Sequence, residues 1–329
     1  MPPNLRVLLI GCGNIAGGFD TDRPDGTWPF THAGAFRRHG GFDLLACTDP
    51  DLPKAAAFAR RWGVQRHAAG VADLGLVPGG VDVVGICSPT VVHGEHLQAA
   101  LALQPRLVFC EKPVTYEVAD TLRCLQACER QGVALAVNHT RRWAPDVQRL
   151  RAELASGQWG AIRSVVGTYN KGVLNNGGHM VDLLHMLVGP LAVVGVGQPV
   201  WDFWDNDPSV PATLLSAAGV PVSLQVGHAS DYAFFELQLV TERGVIAMEN
   251  GGTQWRFRRA VPSPQFKGYQ TLDAGLPEPG TYAEAMAAAA TNIHNHLCHG
   301  EALASTGTTA LQAQRVCETI RGMALDSRP

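Results

Sequence analysis

The first half of this 329-residue chain alternates short apolar runs with helical patterns, and that alternation constrains its fold more than any other feature. Val7-Leu8-Leu9-Ile10 stops at glycine, Phe42 to Cys47 ends at Thr48-Asp49-Pro50, and Val81 to Cys87 is broken by Ser88-Pro89. Leu107 to Cys110 and Val133 to Val137 are further runs of this kind, with a weaker one near Gln65. Between them, Leu52 to Trp62, Glu95 to Leu103 and Thr115 to Gln131 carry helical spacing. Continuous apolar strands are buried on both faces, and helices between them make right-handed crossovers, so the pattern predicts a parallel sheet covered on both sides. Ligands of such sheets sit at the carboxyl ends of the strands, so the informative residues are those just after each run.

After the first run comes Gly11-Cys12-Gly13-Asn14-Ile15-Ala16, which fits G-x-G-x-x-A. Gly11 permits a tight turn, Gly13 lets backbone approach a pyrophosphate, and Ala16 allows close helix–strand packing. A helix starting here offers free N–H groups and a partial positive charge to phosphates. A glycine pair alone is a weak signal, since turns use glycine freely. The clear strand before it makes this a dinucleotide-binding turn in a Rossmann domain. The second run ends at Asp49, whose carboxylate can accept hydrogen bonds from ribose hydroxyls and repels a 2′-phosphate, favouring NAD over NADP. One spacing is irregular: Gly11 and Asp49 are 38 residues apart, against about 20 in the usual motif. Segment 17–30 is rich in turn formers and reads as an insertion in the first crossover. It is either a surface loop or a flap carrying Asp20, Asp22 or Trp28 toward the ligand.

From about Arg141 the pattern changes. A helix is expected over Asp146 to Ala155, then strands at Ile162 to Tyr169, Leu214 to Ala218, Val222 to Val226, Phe234 to Val240, Val245 to Met248 and Trp255 to Phe257. Short Gly, Pro and polar turns between them suit an antiparallel sheet. Trp201 to Pro211 reads as a loop, and alanine-rich helices over Ala283 to Cys298 and Thr308 to Met323 close the chain. The predicted architecture is α/β: a doubly wound parallel sheet in residues 1–140, then an α+β domain with a large, mainly antiparallel open sheet in 141–329.

Composition excludes several partners. Net charge is −3 and no basic stripe exists for a nucleic acid. No apolar stretch reaches the roughly 18 residues of a membrane helix, and the start runs straight into a strand without an export signal, so a cytoplasmic protein is expected. Four of the eight cysteines, Cys12, Cys47, Cys87 and Cys110, sit in or beside apolar runs and read as small buried hydrophobes. His294, His296, Cys298 and His299 lie close together, but positions two apart on a helix face different sides, so no metal is expected there.

Glu111-Lys112-Pro113 follows the Leu107 to Cys110 run. With the glycine turn it resembles the glucose–fructose oxidoreductase / inositol dehydrogenase (Gfo/Idh/MocA) family, and the likeness extends over nearly the whole chain. Ser88-Pro89-Thr90 with His93, Arg141-Arg142-Trp143-Ala144-Pro145 and Gly177-Gly178-His179-Met180-Val181-Asp182 resemble further family segments. The resemblance implies that Gly11, Gly13, Asn14, Ile15, Ala16, Asp49, Ser88, Pro89, Thr90, His93, Glu111 and Lys112 hold NAD, and that a cis bond precedes Pro113. It places Lys112 near the nicotinamide and the substrate hydroxyl, where an ammonium can orient or polarise an oxygen. His179, titrating near neutral pH, is the implied general base, with Asp182 one turn on to orient it. Arg142, Tyr169, Lys171, Asn175 and Asp182 are candidate substrate contacts.

One departure matters. Many family enzymes carry aspartate four residues before this histidine, and here Asn175 cannot accept a proton. His179, alone or with Lys112, must then carry the transfer. The expected activity is hydride transfer between a secondary alcohol of a sugar, cyclitol or related polyol and nicotinamide. The family also implies a homodimer or homotetramer. Two other readings stay open: an enzyme that keeps its NAD and oxidises transiently to allow elimination or hydrolysis, and a cofactor-binding sensor without turnover.

Overall fold

Among the described residues, six strands form the first sheet: β1 (Leu5–Ile10), β2 (Phe42–Thr48), β3 (Arg66–Ala68), β4 (Val83–Ile86), β5 (Leu107–Cys110) and β6 (Ala134–Val137). The computed structural model describes residues 3–24 and 26–326. Strand order is β3-β2-β1-β4-β5-β6 and every pairing is parallel. The order reverses at β1, which puts the topological switch point, and hence the ligand crevice, beside it. All residues of β4 and β5 are buried, as their unbroken apolar runs require.

Four helices make the crossovers: α1 (His32–His39), α2 (Leu52–Trp62), α3 (His93–Ala102) and α4 (Val118–Arg130). Local chemistry sets their ends. The Thr31 hydroxyl caps α1 by accepting from the Gly34 amide at 3.1 Å, and Asp51 caps α2 by accepting from the Lys54 amide at 3.1 Å. Gly40 and Gly63, both left-handed, stop the two helices. The compact unit built on this sheet comprises the residues up to Ala144 together with Ala283–Leu311. Helix Ala285–His299 buries Met286, Ala289, Ala290 and Ile293 in the same core as Val7, Leu9, Phe36 and Phe42.

The second unit comprises Pro145–Tyr282 and the residues from Gln312 onward. Its elements are α5 (Pro145–Ala155), β7 (Ile162–Tyr169), α6 (Gly177–Val188), β8 (Leu191–Val196), β9 (Val200–Trp204), β10 (Asp207–Ser209), β11 (Ala212–Ser216), β12 (Pro221–Val226), β13 (Phe235–Thr241), β14 (Gly244–Glu249), β15 (Gln254–Pro262), β16 (Gln270–Leu272) and β17 (Pro277–Pro279). Two more helices end the chain, α7 (Ala285–His299), described with the first unit, and α8 (Gly307–Asp326), divided between the two. The large sheet runs β16-β15-β14-β13-β7-β12-β11-β8, with β17 on β15. Its pairings are antiparallel except β12 with β7. Burial alternates residue by residue along β11 and β13, so one sheet face is covered and the other open. No described helix is long and apolar enough to cross a membrane.

The loop expected over Trp201 to Pro211 is instead a hairpin of β9 and β10. Its aspartates, serine and proline resemble loop chemistry. Asp202, Asp207 and Ser209 turn their side chains onto neighbouring backbone, so residues that read as solvated are structural.

Candidate active site

The carboxyl edge of the parallel sheet collects the segments expected to hold a cofactor, and hydrogen bonds tie them together. Gly11 has φ of +93°, and a Cβ there would lie 2.8 Å from the Ser88 amide nitrogen, so only glycine fits where the β1 and β4 loops touch. A Cβ on Gly13 would meet nothing within 4 Å, leaving backbone open to an approaching diphosphate. Asp49, buried, accepts from the Cys12 amide at 3.0 Å and pairs with Lys54 Nζ at 2.9 Å. Burial alone would raise its carboxyl. The Cys12 amide, Lys54 and the Asp51 amide outweigh burial and hold it below its ordinary range. An ionised acceptor beside the glycine turn suits ribose hydroxyls. The donors and space match a dinucleotide.

The helix expected directly behind the turn is interrupted. The backbone makes short turns from Gly13, with the Gly17 and Gly18 amides both donating to its carbonyl at 3.2 Å, and a 3-10 turn over Gly18–Asp20. The insertion follows, and α1 then resumes: the His32 amide donates to Ile15 O at 3.1 Å and the Ala33 amide to Ala16 O at 2.9 Å. Both ends of the insertion therefore meet on the last carbonyls of the turn, which keeps the phosphate cradle intact.

His93 joins the β4 and β5 loops. Its Nε2 lies 2.8 Å from Ser88 O and its Nδ1 2.9 Å from Pro113 O. Ser88 Oγ pairs with His96 Nδ1 at 2.7 Å. Pro89 and Thr90 lead into the 3-10 turn that starts α3. Glu111 receives Asn138 Nδ2 at 2.7 Å and His32 Nε2 at 2.8 Å. Burial pushes the Glu111 carboxyl up, but the His32 and Asn138 hydrogen bonds and the Lys112 charge bring it below its usual range. Lys112 is half-buried between this anchored carboxylate and Pro113, and its bond to Pro113 is cis. Arg142 is buried, with Nη1 3.4 Å from Ala304 O.

In the second unit, β7 leads into a π-helical turn, Gly172–Asn176, and then α6. Lys171 stands at φ +65°, a left-handed conformation that a lysine adopts only when held. The hairpin holds it: the Lys171 amide donates to Asp202 at 2.8 Å, and the Leu174 and Asn175 amides donate to the two oxygens of Asp207 at 2.9 and 3.0 Å. Burial raises the Asp207 carboxyl, although the amides it accepts from offset part of that rise. Asn175 Nδ2 donates to Lys171 O at 3.0 Å, closing the turn. His179 is half-buried on the first turn of α6, and Asp182 is buried three residues on. Tyr169 is fully buried, and its hydroxyl donates to Val210 O at 2.8 Å and accepts from the Val210 amide at 3.1 Å, so it serves the frame.

The model of an oxidoreductase family with an NAD-binding Rossmann fold, Gfo/Idh/MocA, matches residues 5–139. Residues 5–139 thus match the NAD-binding Rossmann domain of the Gfo/Idh/MocA family. Over 210 residues it is 29% identical to the D-glucoside 3-dehydrogenase of Escherichia coli, covering 58% of this chain and 54% of that protein. The inositol 2-dehydrogenase of Rhizobium meliloti is 23% identical over 268 residues, covering 75% of this chain and 76% of the relative. The chain thus spans about half the length of the first of these relatives. A levoglucosan dehydrogenase solved with NADH and levoglucosan shares the fold with a TM-score of 0.80 at 18% identity, over 99% of this chain and 98% of that one.

Two groups on this sheet edge, Asn138 and His32, are not marked by the motifs. Asn138 directly follows β6, so the strand-end rule that selects Asp49 and Lys112 also selects it. His32 lies beyond the insertion, where no spacing rule reaches. Asp202 and Asp207 were hidden in the stretch read as a loop. Around the histidine cluster of α7, His294 packs against His39 with tilted rings whose centroids are 4.6 Å apart, while His296 turns to Glu301 O at 2.7 Å.

Proposed function

We propose that this Gfo/Idh/MocA protein is an NAD-dependent dehydrogenase that oxidises a secondary alcohol of a sugar, cyclitol or related polyol. The bonded edge Gly11–Asp49–Ser88–Glu111 carries the reading, because it joins a diphosphate cradle, a ribose acceptor and the Lys112 loop on one sheet. The cofactor, when bound, supplies the hydride acceptor. Asp49 takes the ribose hydroxyls, and Glu111, fixed by His32 and Asn138, orients the Lys112 backbone. Lys112 polarises the reacting oxygen and His179 takes its proton. Asn175, which closes the π-turn, orients rather than accepts a proton. The names of the glucoside, inositol and levoglucosan dehydrogenases support a polyhydroxylated substrate. A homodimer or homotetramer assembled through the open sheet face, and a cytoplasmic location, complete the proposal.

NADH formation against a panel of sugars, cyclitols, sugar acids and nucleotide sugars tests it. At least one alcohol should yield stoichiometric NADH. Lys112→Ala and His179→Ala should each lower kcat by about 100- to 10,000-fold, while NADH affinity stays within about threefold. Turnover without net NADH would move the reading to transient oxidation. Wild-type turnover by Lys112→Ala would end it.

A further inference from the structure

Segment 17–30 takes no part in the proposed chemistry, yet it forms one wall of an open cleft of its own. Asp20 does not reach toward a cofactor: it is buried, accepting from the Phe30 amide at 2.9 Å, the Thr31 amide at 3.0 Å and the Thr31 hydroxyl at 2.6 Å. Trp28 is covered by the Arg38 guanidinium, 3.9 Å from its ring. Arg23 stacks on Phe30 at 4.0 Å and Arg61 lies over Trp62 at 5.6 Å. Carbonyls of the insertion then fix these groups: Arg23 Nη2 donates to Trp28 O at 3.2 Å, and Arg61 Nη2 to Thr21 O at 3.0 Å. Arg37 Nη1 reaches Arg61 O at 3.4 Å.

Arg23, Arg37, Arg38 and Arg61 line one open cleft of roughly 360 Å³ formed by the insertion, α1 and α2. Asp20 is the one carboxylate among the described lining residues. Its oxygens are already engaged by backbone and Thr31, and its Arg23 pair is long at 3.5 Å. The described lining residues therefore carry four guanidinium groups against one carboxylate, in a chain whose net charge is −3. Arg38 Nη1 likewise reaches Gly26 O and Thr27 O at 3.4 Å, so each guanidinium offers an anion the in-plane N–H donors that these carbonyls do not take, and a guanidinium fork matches a phosphate bidentately. The volume suits a small metabolite rather than a bare ion. None of the described lining residues belongs to the glycine turn, Asp49 or the Ser88 loop.

We propose that the insertion creates a second anion site, distinct from the dinucleotide cradle, that takes a phosphomonoester of sugar size. The full chain, first saturated with NADH so that the cradle is filled, is titrated calorimetrically with glucose 6-phosphate and separately with glucose. One saturable site for the phosphate ester, with Kd in the range of about 10 μM to 1 mM, and none of that affinity for glucose, is the expected result. The double variant Arg37→Gln/Arg38→Gln should weaken binding by about tenfold or more with unchanged melting temperature and NADH affinity. Removal of residues 18–30 should abolish it. No saturable binding up to about 10 mM, equal affinity in the double variant, or binding only when NADH is left out would each overturn the proposal. If the deletion fails to fold, the double variant decides alone.

Discussion

Glu111 and Asp49 show how single residues on the sheet edge are set. Both carboxylates are held below their ordinary range despite burial, Glu111 by the hydrogen bonds from His32 and Asn138, Asp49 by the Cys12 amide and Lys54. A carboxyl whose folded pKa is depressed stabilises the fold above its unfolded pKa, and that contribution is lost as pH falls through the folded value. Glu111→Gln should therefore cost about 1–3 kcal/mol at neutral pH, with a gap to wild type that narrows below about pH 4. Urea unfolding across that range measures it, and a gap independent of pH would show that the charge is not what stabilises. Such residues were legible only where a strand end announced them. Asp49 and Lys112 follow apolar runs, whereas His32 reaches Glu111 through tertiary packing that no local pattern encodes.

At the scale of elements, the insertion behaves as a loop spliced into a helix. If residues 18–30 are removed, the order becomes 15, 16, 17, 31, 32, 33, so His32 stands four residues after Ile15 and Ala33 four after Ala16. Four is the helical hydrogen-bond step, and the two bonds already present are the ones an uninterrupted helix would make. Deletion also shortens the Gly11–Asp49 separation from 38 to 38 − 13 = 25 residues, close to the motif's usual spacing of about 20. The variant lacking 18–30 should melt cooperatively and bind NADH within about threefold of wild type. Loss of NADH affinity measured by fluorescence titration would mean that the insertion supports the cradle. The sequence marked where the insertion begins because its turn formers break the helical pattern. It could not show the splice, which is made by backbone groups that every residue type shares. The β9–β10 hairpin is hard to read for the opposite reason: its polar residues have the composition of a loop, and Asp202 and Asp207 accept from the backbone of Lys171, Leu174 and Asn175.

Over the whole molecule, chain order and structural unit part company. The change of pattern near residue 141 marks where the parallel sheet ends, yet Ala283–Leu311 packs with that sheet. Periodicity tells which face of α7 is apolar, not which core receives it, and an alanine-rich face is as suited to one as to the other. The consequences of this placement are large. Met286, Ala289, Ala290 and Ile293 are buried against Val7, Leu9, Phe36 and Phe42. Asn292 accepts from Trp143 Nε1 and from the Ala304 amide, both at 2.9 Å, and Ser305 Oγ donates to Val137 O at 2.7 Å. Burying Met286 and Ile293 alone contributes about 1.5–3 kcal/mol each, out of a net stability of about 5–15 kcal/mol for a whole domain. A fragment of residues 1–144 should therefore lack a cooperative melt, bind a hydrophobic dye and fail to bind NADH. Joining 283–311 to it through a flexible Gly/Ser linker should restore the cooperative melt and NADH binding and abolish dye binding. A bare 1–144 fragment that melts cooperatively and binds NADH would show that the first sheet is sufficient without α7.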